Sequence, residues 1–491
     1  MGGTTVNSSR LYFKYNRDFL LAKLRRKRMQ KVKTREASLV LIVMLAILGT
    51  GVIKWGLSPQ TPVLLVLGLL TIWAKIRGFS WQAINDGIKS GIETGIIPIF
   101  IFILVGALIS VWIAAGIIPT LMLVGFKMIS VNWFIPSVFV VCALVGTAVG
   151  SAFTVMSTVG IAFFGMGMTM GINPALVAGA IISGAVFGDK CSPLSESTNL
   201  SAAVVDADLF DHIRNLMWST LPAFVGALIL FAIFGAGDAQ NADISKIQHT
   251  ESVLQAHFAT GWWVLIPIIL MFVCAWRRVP AVPTLFINIG VSVGLIWLEH
   301  PATSVQHLAK IIETGYVAHT GNLEVDQLLS RGGIASMMTT VSLIVVTLSL
   351  GGVLVHLGLI NQVMEPIARV LNSDGKLILA VVLSAMGANL LIGEQFLSVI
   401  LPGKAFKATF KKAGLANVAL SRALEDGGTV INYLVPWGVA ATFAANTFHV
   451  ATLDYLPFAF FSLLSPVFSI LSGFTGIGLK RSKASSDQTQ P

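Results

Sequence analysis

Charged residues are scarce in this chain of 491 residues, and cysteines are scarcer still. Only 11% of the residues are charged and 55% are hydrophobic, whereas ordinary soluble domains carry roughly 25% charged residues. This shortage of charge excludes a typical soluble enzyme or binding domain. Cys142, Cys191 and Cys274 stand at no spacing that is typical of a disulfide framework or a metal site, so we interpret them as inert apolar residues.

Long apolar segments take the place of charge. Each approaches the ~20 residues that an α-helix needs to cross the hydrocarbon core of a bilayer, and about ten to twelve such elements can be counted. The short alternating segments of a membrane β-barrel are missing. We therefore predict an all-α polytopic membrane protein. The clearest runs are Leu39–Leu57, Ile96–Ala115, Leu216–Phe234, Trp262–Trp276, Met337–Val355 and Phe458–Phe474.

The basic residues are concentrated where they indicate topology. The net charge is +10, and eleven Lys and Arg residues lie between Arg10 and Arg35, directly before the first apolar run. Cytoplasmic flanks of membrane spans are enriched in such residues. We therefore expect a cytoplasmic N-terminus and no nucleic acid partner. Binding of this arm to anionic lipid headgroups is an alternative.

Later loops extend this topology and divide the chain. Basic residues follow several apolar runs, whereas the acidic stretch Gly237–Gly261 and the region Glu299–Asp326 are predicted to be external. We expect the protein in the cytoplasmic membrane, surrounded by the lipid bilayer, with both termini in the cytoplasm. The predicted parts are a basic arm (1–36), a first transmembrane region (37–236), an external loop (237–261), a second transmembrane region (262–479) and a cytoplasmic tail (480–491).

The two halves of the chain resemble each other. A shift of 243 residues aligns Gly150, Phe153 and Gly160 with Gly393, Phe396 and Gly403, and it gives nine identities in 44 positions, where chance gives roughly three or four. The tetrapeptide Ile92–Gly95 also recurs as Ile312–Gly315. Flanking charges place the matched segments on opposite sides of the membrane. Repeats of opposite orientation are typical of secondary transporters.

Helices are predicted to break within both repeats. Glycines and hydroxyl residues around Gly150, and Gly387, Gly393, Pro402 and Gly403 around Glu394, favour re-entrant hairpins over continuous helices. Unwound backbone at membrane depth is tolerated only where it is buried in protein or lines a watery cavity. Thr154 and Ser157 are therefore candidate ligands. Glu394 is a candidate ion- or proton-binding group, with capping of a helix N-terminus as the alternative.

The run Gly188–Asn199 carries the first candidate site. Gly188 and Pro193 are predicted to bracket a helix break that frees backbone carbonyls. A carboxylate, hydroxyls and an amide in this run form an all-oxygen set, which suits a hard cation such as Na⁺. An intramembrane carboxylate is a functional candidate by default, and a helix-capping loop is the alternative. The predicted ligands are Asp189, Ser192, Ser195, Thr198 and Asn199.

The run Glu425–Asp426 carries the second candidate site. If this stretch is helical, Arg422 lies three and four residues earlier and can pair with one of the two carboxylates. The other would bind a cation or a proton, and a wholly structural ion-pair network is the alternative. Thr429 and Asn432 are predicted neutral ligands, and Asp189 and Asp426 are the leading Na⁺-binding residues. His212 and five other histidines fall in predicted polar connections, where we interpret them as solvated.

The sequence GDKCSPLSESTNL at Gly188–Leu200 closely resembles the motif of the NhaC-type Na⁺/H⁺ antiporter family, and Ser421–Phe443 resembles that family's Glu-Asp and Pro-Trp region. The resemblance covers nearly all of Leu39–Leu479. It implies the fold of the ion-transporter superfamily, with inverted repeats and re-entrant hairpins, and antiport without a bound organic cofactor. Where family members often have Asp-Thr-Thr after SPLS, this chain has Glu196, Ser197 and Thr198.

Two functions follow. The first is exchange of Na⁺ for H⁺; the second is exchange of a small carboxylate, such as malate against lactate, coupled to Na⁺ and H⁺. In the second, Thr154, Ser157 and helix N-termini would receive the anion. No unpaired membrane Arg stands out as a carboxylate clamp, which favours the first. No phosphate-binding loop or metalloprotease motif indicates an ATP-driven pump or an enzyme. A homo-oligomer is compatible with the sequence.

Overall fold

The computed structural model describes residues 32–128, 130–239, 244–277, 279–369 and 373–482. Most of the predicted basic arm and the end of the predicted tail lie outside these residues. The described α-helices of the first half, numbered in chain order, are α1 (Thr34–Gly49), α2 (Gln60–Ile76), α3 (Trp81–Glu93), α4 (Ile96–Ala114), α5 (Ile117–Met128), α6 (Phe134–Val149), α7 (Ala152–Val155), α8 (Ile161–Thr169), α9 (Pro174–Cys191), α10 (Glu196–Val204), α11 (Leu209–Ala239) and α12 (Ile244–His257).

The second half continues the all-helical pattern, and short π and 3₁₀ segments join several helices. Its described α-helices are α13 (Ile266–Trp276), α14 (Ala281–Glu299), α15 (Val305–Thr314), α16 (Leu323–Leu329), α17 (Ile334–His356), α18 (Leu359–Arg369), α19 (Asp374–Ile392), α20 (Gln395–Lys412), α21 (Asn417–Leu424), α22 (Val439–Phe448), α23 (Thr452–Tyr455) and α24 (Phe460–Thr475). The π segments are Thr50–Lys54, Met156–Gly160 and Glu425–Thr429, and the 3₁₀ segments are Val131–Trp133, Trp262–Leu265, Val430–Leu434 and Leu456–Phe458.

These helices confirm the predicted membrane architecture. Within the described residues, nine are long and apolar enough to cross a bilayer, or eleven spans result if two bent helix pairs each count as one. The predicted number of spans overlaps the upper part of this range. The segment predicted as an external loop includes the helix Ile244–His257, which meets the next apolar helix at an angle of 93°.

The internal repeat is confirmed in the backbone. Gly150 and Gly393 each end a helix in the left-handed conformation, with φ of +73° and +71°. The next residue in each half, Ser151 or Glu394, is extended and caps the following helix with its side chain. A left-handed glycine is accessible because no Cβ opposes it. The helix breaks therefore occur at equivalent positions of the two halves.

The two repeats run in opposite directions along the molecule. Helix α11 has 31 residues, which corresponds to roughly 46 Å. Near its start, Asn417 of the second repeat donates to the Asp206 carbonyl at 3.4 Å. Near its other end, Gly235 packs closely against Ile135, which belongs to the first repeat. In the first repeat, α9 runs alongside α6, with Gly184 against Cys142 and Gly188 against Gly146, so the start of α9 lies near Ile135. The start of α21, its equivalent in the second repeat, therefore lies toward the opposite end of α11, as inverted repeats require.

Candidate ion-binding site at the helix breaks

The first helix break lies later in the chain than predicted. Helix α9 continues to Cys191, and residues 192–195 form the break. Gly188 is therefore helical, and its role is close packing, because a Cβ there would lie 2.5 Å from the Cα of Gly146 on α6. Asp189 and Lys190 consequently occupy the last turn of a helix. Ser195 begins the next helix by accepting from the Thr198 N–H at 3.3 Å.

Ser197 connects the carboxylates of the two halves. Its hydroxyl lies 3.5 Å from Asp189 Oδ2 and 3.3 Å from Glu425 Oε1. All three residues are buried. The second carboxylate oxygen of Glu425, Oε2, has no hydrogen-bond partner among the described residues. Two buried carboxylates thus face one hydroxyl where the last turn of α9, the start of α10 and the π segment Glu425–Thr429 meet.

Asp426 has a different environment, because it forms a salt bridge with Lys190. The Lys190 Nζ lies 2.5 Å from Asp426 Oδ1, and both side chains are fully buried. Ser465 donates to Asp426 Oδ1 at 2.5 Å, and Ser219 donates to Oδ2 at 2.8 Å. Both carboxylate oxygens are therefore satisfied. Asp426 thus contacts a lysine and two serines, whereas the Asp189 carboxylate contacts Ser197.

The predicted pairing of Arg422 with Glu425 or Asp426 is wrong. Its guanidinium instead donates to Ser472 Oγ at 2.7 Å and to the Gly478 carbonyl at 3.1 Å, at the end of the last helix. Lys190, from the first half, supplies the charge beside Asp426. Arg422 therefore ties two helices together. Among the described residues, Glu425 has no cationic partner within salt-bridge distance other than His212.

His212 is not the solvated loop residue that the sequence suggested. It lies near the start of α11 and is fully buried. Its Nδ1 is 2.7 Å from the Ser421 hydroxyl, and its Nε2 is 3.9 Å from Glu425 Oε2. The sequence did not reveal this position, because it depends on where α11 begins and how it packs. The imidazole ring of His212 thus lies directly beside Glu425.

Glu394 acts as a helix cap, the alternative considered from the sequence. Its two carboxylate oxygens accept from the Phe396 and Leu397 N–H groups, each at 2.9 Å. It also lines a cavity of about 300 Å³ between the helix breaks at Gly150 and Glu394, which we call the first cavity. That cavity is further lined by Thr154, Asp189, Ser197, Glu196 and Asn432 and extends to Ala275 and Pro280.

The remaining predicted ligands are mostly engaged in local bonds. Asn432 donates to Asn389 Oδ1 at 2.6 Å and accepts from the Ala440 N–H. Thr429 Oγ1 is buried without a partner among the described residues. The other hydroxyl and amide groups bond to neighbouring backbone or side-chain atoms of their own segment: Thr154 to Ser151, Ser157 to Phe153, Ser192 to Leu194, Thr198 to Lys190, and Asn199 to Pro193 and Ser195.

Lys190 and Ser197 are the site residues that the sequence reasoning missed. Both stand inside the motif Gly188–Leu200, so their position in the chain was a usable signal. A lysine flanked by apolar sequence requires a buried partner because an unpaired charge there is costly. That requirement would have indicated Asp426 or Glu425 as its partner.

The chain is similar to known membrane antiporters. A family model described as the Na⁺/H⁺ antiporter family matches residues 30–203 and 184–477. The chain is 39% identical over 457 residues to the Na⁺/H⁺ antiporter NhaC of Alkalihalophilus pseudofirmus, which covers 93% of this chain and 99% of that protein. It is 37% identical to the Na⁺/H⁺ antiporter NhaC of Bacillus subtilis, over 88% and 96% of the two chains.

A third relative has a different printed activity. The chain is 33% identical to the malate-2H⁺/Na⁺-lactate antiporter of Bacillus subtilis, over 89% of this chain and 94% of that protein. The matches therefore extend over nearly the whole length of the described helices and of each relative. On these matches, the chain belongs to the Na⁺/H⁺ antiporter family.

Proposed function

We propose that this protein exchanges Na⁺ for H⁺ across the cytoplasmic membrane by alternating access. The observation that carries the proposal is the contact of Ser197 with both Asp189 and Glu425, which brings one buried carboxylate from each half of the chain to a single hydroxyl. The names of the two NhaC relatives support the same activity. Asp189 and Glu425 are the groups that we assign to ion and proton exchange.

A buried carboxylate pair is suited to this exchange. Burial and mutual repulsion both disfavour the doubly ionised state. A bound Na⁺ or a bound proton relieves that repulsion, so the two compete for the same oxygens. If the site opens alternately to each side of the membrane, this competition couples inward movement of one ion to outward movement of the other.

Asp426 contributes mainly through its pairing. Lys190 Nζ already lies within 2.5 Å of Asp426 Oδ1, so a cation would have to displace an ammonium group to reach it. We therefore assign Asp426 a supporting role. The pair fixes the first broken helix against the second, next to the exchanging carboxylates.

The charge of the first cavity favours a cation over an organic acid. Asp189, Glu196 and Glu394 line it, and no Lys, Arg or His is among its described lining residues. The similarity to the malate-2H⁺/Na⁺-lactate antiporter makes Na⁺- and H⁺-coupled carboxylate exchange the second candidate. An anion entering this cavity would meet three acidic side chains and no basic one, so plain cation exchange is better supported.

An aromatic cluster supports alternating access. The rings of Phe102, Phe153 and Phe443 pack together, with centroids 4.9 to 5.2 Å apart. Phe102 and Phe153 line the first cavity, and Phe443 lies about one turn beyond Val439, which lines it on α22. We propose that the first cavity opens toward Ala275 and Pro280 while this cluster closes the other side. Arg277 follows the apolar run Trp262–Trp276, so we predict that this end is cytoplasmic.

Purified protein in liposomes with an internal pH-sensitive dye tests the proposal. Added Na⁺ or Li⁺ should dissipate an imposed pH gradient, whereas labelled malate or lactate should show no counterflow. Asp189→Asn and Glu425→Gln should each reduce the exchange rate at least a hundredfold. The exposed residues Asp454 and Glu313 give matched controls, Asp454→Asn and Glu313→Gln, with unchanged rates. Wild-type exchange in both site variants would contradict the assignment of the carboxylates.

A further inference from the structure

A second cavity, of about 410 Å³, is lined by Asn446 and Thr447, which follow Phe443 of the aromatic cluster on α22. Three helices line both cavities, with residues seven or eight positions apart: Ile101 and Ile109 on α4, Ile344 and Met337 on α17, and Val439 and Asn446 on α22. At 1.5 Å per residue this spacing is roughly 10 to 12 Å. The second cavity is therefore distinct from the carboxylate site.

Arg331 gives this cavity a positive charge. It lies in the loop before α17, and its Nη1 donates to the Thr447 carbonyl at 2.9 Å. Its guanidinium stands over the ring of Phe164, 5.8 Å from the centroid. Burial lowers the pKa of Arg331 to about 10, so the side chain stays charged at neutral pH. Among the described residues, no carboxylate lies within salt-bridge distance of it.

Two polar atoms beside this charge have no partner. Arg331 Nε and Thr447 Oγ1 are both buried and make no hydrogen bond with any described residue. Both residues line the second cavity, and neither Asp nor Glu is among its described lining residues. Buried polar groups are nearly always paired. Arg331 Nε–H requires an acceptor and the Thr447 hydroxyl can donate to one, so the charge of Arg331 favours an anion as their partner.

An acidic residue that shares a neighbouring cavity with Arg331 is already engaged. Glu324 lines a neighbouring cavity together with Arg331 and His449. However, Glu324 lies 3.6 Å from the Lys246 ammonium and is 71% exposed. It therefore offsets Lys246, and in solvent its effect on Arg331 is screened. The positive charge of the second cavity remains uncompensated.

We propose that the second cavity binds a small carboxylate anion between Arg331 and Thr447. One carboxylate oxygen accepts from Arg331 Nε–H, and the other accepts from the Thr447 hydroxyl. Arginine recognises carboxylates well because its planar donors match their two oxygens. A single-atom anion such as chloride can satisfy the charge but offers only one acceptor atom to the two separate donors. The site does not depend on Na⁺/H⁺ exchange.

Equilibrium binding of labelled lactate to the purified full-length protein, at fixed Na⁺ concentration and ionic strength, tests this site. We expect saturable binding that becomes at least tenfold weaker in Arg331→Gln and in Thr447→Val. Thr447→Val keeps the backbone carbonyl that Arg331 contacts, so it tests the hydroxyl without removing that bond. Arg277→Gln, at the other end of the molecule, is the matched control and should bind like the wild type.

Competition distinguishes the anion classes. Acetate should displace labelled lactate at concentrations similar to lactate, and chloride only at much higher ones. Displacement by chloride at equal or lower concentration would overturn the carboxylate assignment. Absence of saturable binding, or equal binding by the wild type and both site variants, would overturn the site itself. The Asp189→Asn variant should retain lactate binding, which separates this result from any failure of ion exchange.

Discussion

Lys190 and Asp426 form a fully buried salt bridge, with 2.5 Å between Nζ and Oδ1, that joins the two inverted halves of the protein. The lysine follows Asp189 on one broken helix, and the aspartate follows Glu425 on the other. Each half therefore contributes one member of the ion pair and one carboxylate of the candidate exchange site. By holding the two helices together, the pair fixes the distance between the neighbouring carboxylates, Asp189 and Glu425.

Removal of one member of this pair should be strongly destabilising. Lys190→Met leaves Asp426 as an uncompensated buried charge, which costs roughly 3 to 5 kcal/mol. Thermal unfolding in detergent, followed by tryptophan fluorescence, should show a large decrease in the apparent Tm. Lys404→Met removes an exposed lysine and should change little. A second-site change, Asp426→Leu in the Lys190→Met background, should recover much of the loss; no recovery would contradict the pairing as its cause.

Ser197 should set the apparent affinity for Na⁺. Ser197→Ala removes the hydroxyl between Asp189 and Glu425, and hydrogen bonds to charged groups contribute about 1.5 to 3 kcal/mol. The Na⁺ concentration for half-maximal exchange in liposomes should rise about tenfold or more. Ser342→Ala removes a hydroxyl that bonds only to the Thr339 carbonyl and serves as the control. An unchanged Na⁺ dependence in Ser197→Ala would exclude a role for the hydroxyl.

Gly150 should tolerate substitution less well than Gly171, although both have positive φ. In Gly150→Ala the new Cβ would lie 2.7 Å from the Cβ of Leu194, whereas at Gly171 no atom lies within 4 Å. Left-handed backbone alone costs about 1 to 2 kcal/mol for a residue with a Cβ, and overpacking adds about 1 to 3 kcal/mol. Apparent Tm values should therefore fall further for Gly150→Ala. Equal decreases would indicate that the contact with Leu194 relaxes freely.

Truncation of the aromatic cluster should uncouple transport. Phe443→Ala opens a gap beside Phe102 and Phe153, which remain in contact with each other, and H⁺ should leak across the liposome membrane without added Na⁺. The leak is measured as Na⁺-independent loss of an imposed pH gradient. Phe286, which is 54% exposed, gives the matched control Phe286→Ala, with a tight membrane. A tight membrane in Phe443→Ala as well would place the barrier elsewhere.

Hydropathy and the repeat were sufficient to predict the general fold from the sequence. Gly150 and Gly393 were aligned correctly because a left-handed helix end requires glycine, and that requirement leaves a trace in the sequence. The end of α9 was predicted three residues early because Gly188, expected to break the helix, packs against Gly146 instead. A glycine can end a helix or allow two helices to pack closely, and the residues around it in the fold decide which of these it does.

The partners of charged groups were harder to predict. Spacing along one helix suggested Arg422 for Glu425 or Asp426, whereas Lys190, 236 positions away from Asp426, forms the bond. His212 was misplaced for a similar reason, since its burial depends on packing of α11 against Ser421. Local periodicity carries no information about such contacts between the halves. Arg331 likewise gained significance only when its loop was found beside Thr447.

The paired helix breaks have one more consequence. Both repeats have a left-handed glycine followed by an extended capping residue. The cap is a serine hydroxyl in the first repeat and a glutamate carboxylate in the second. In a protein built from inverted repeats, the binding site can open to the other side of the membrane when each repeat adopts the conformation of the other. We expect the difference between Ser151 and Glu394 to make the two conformations that this pseudosymmetry allows unequal in energy.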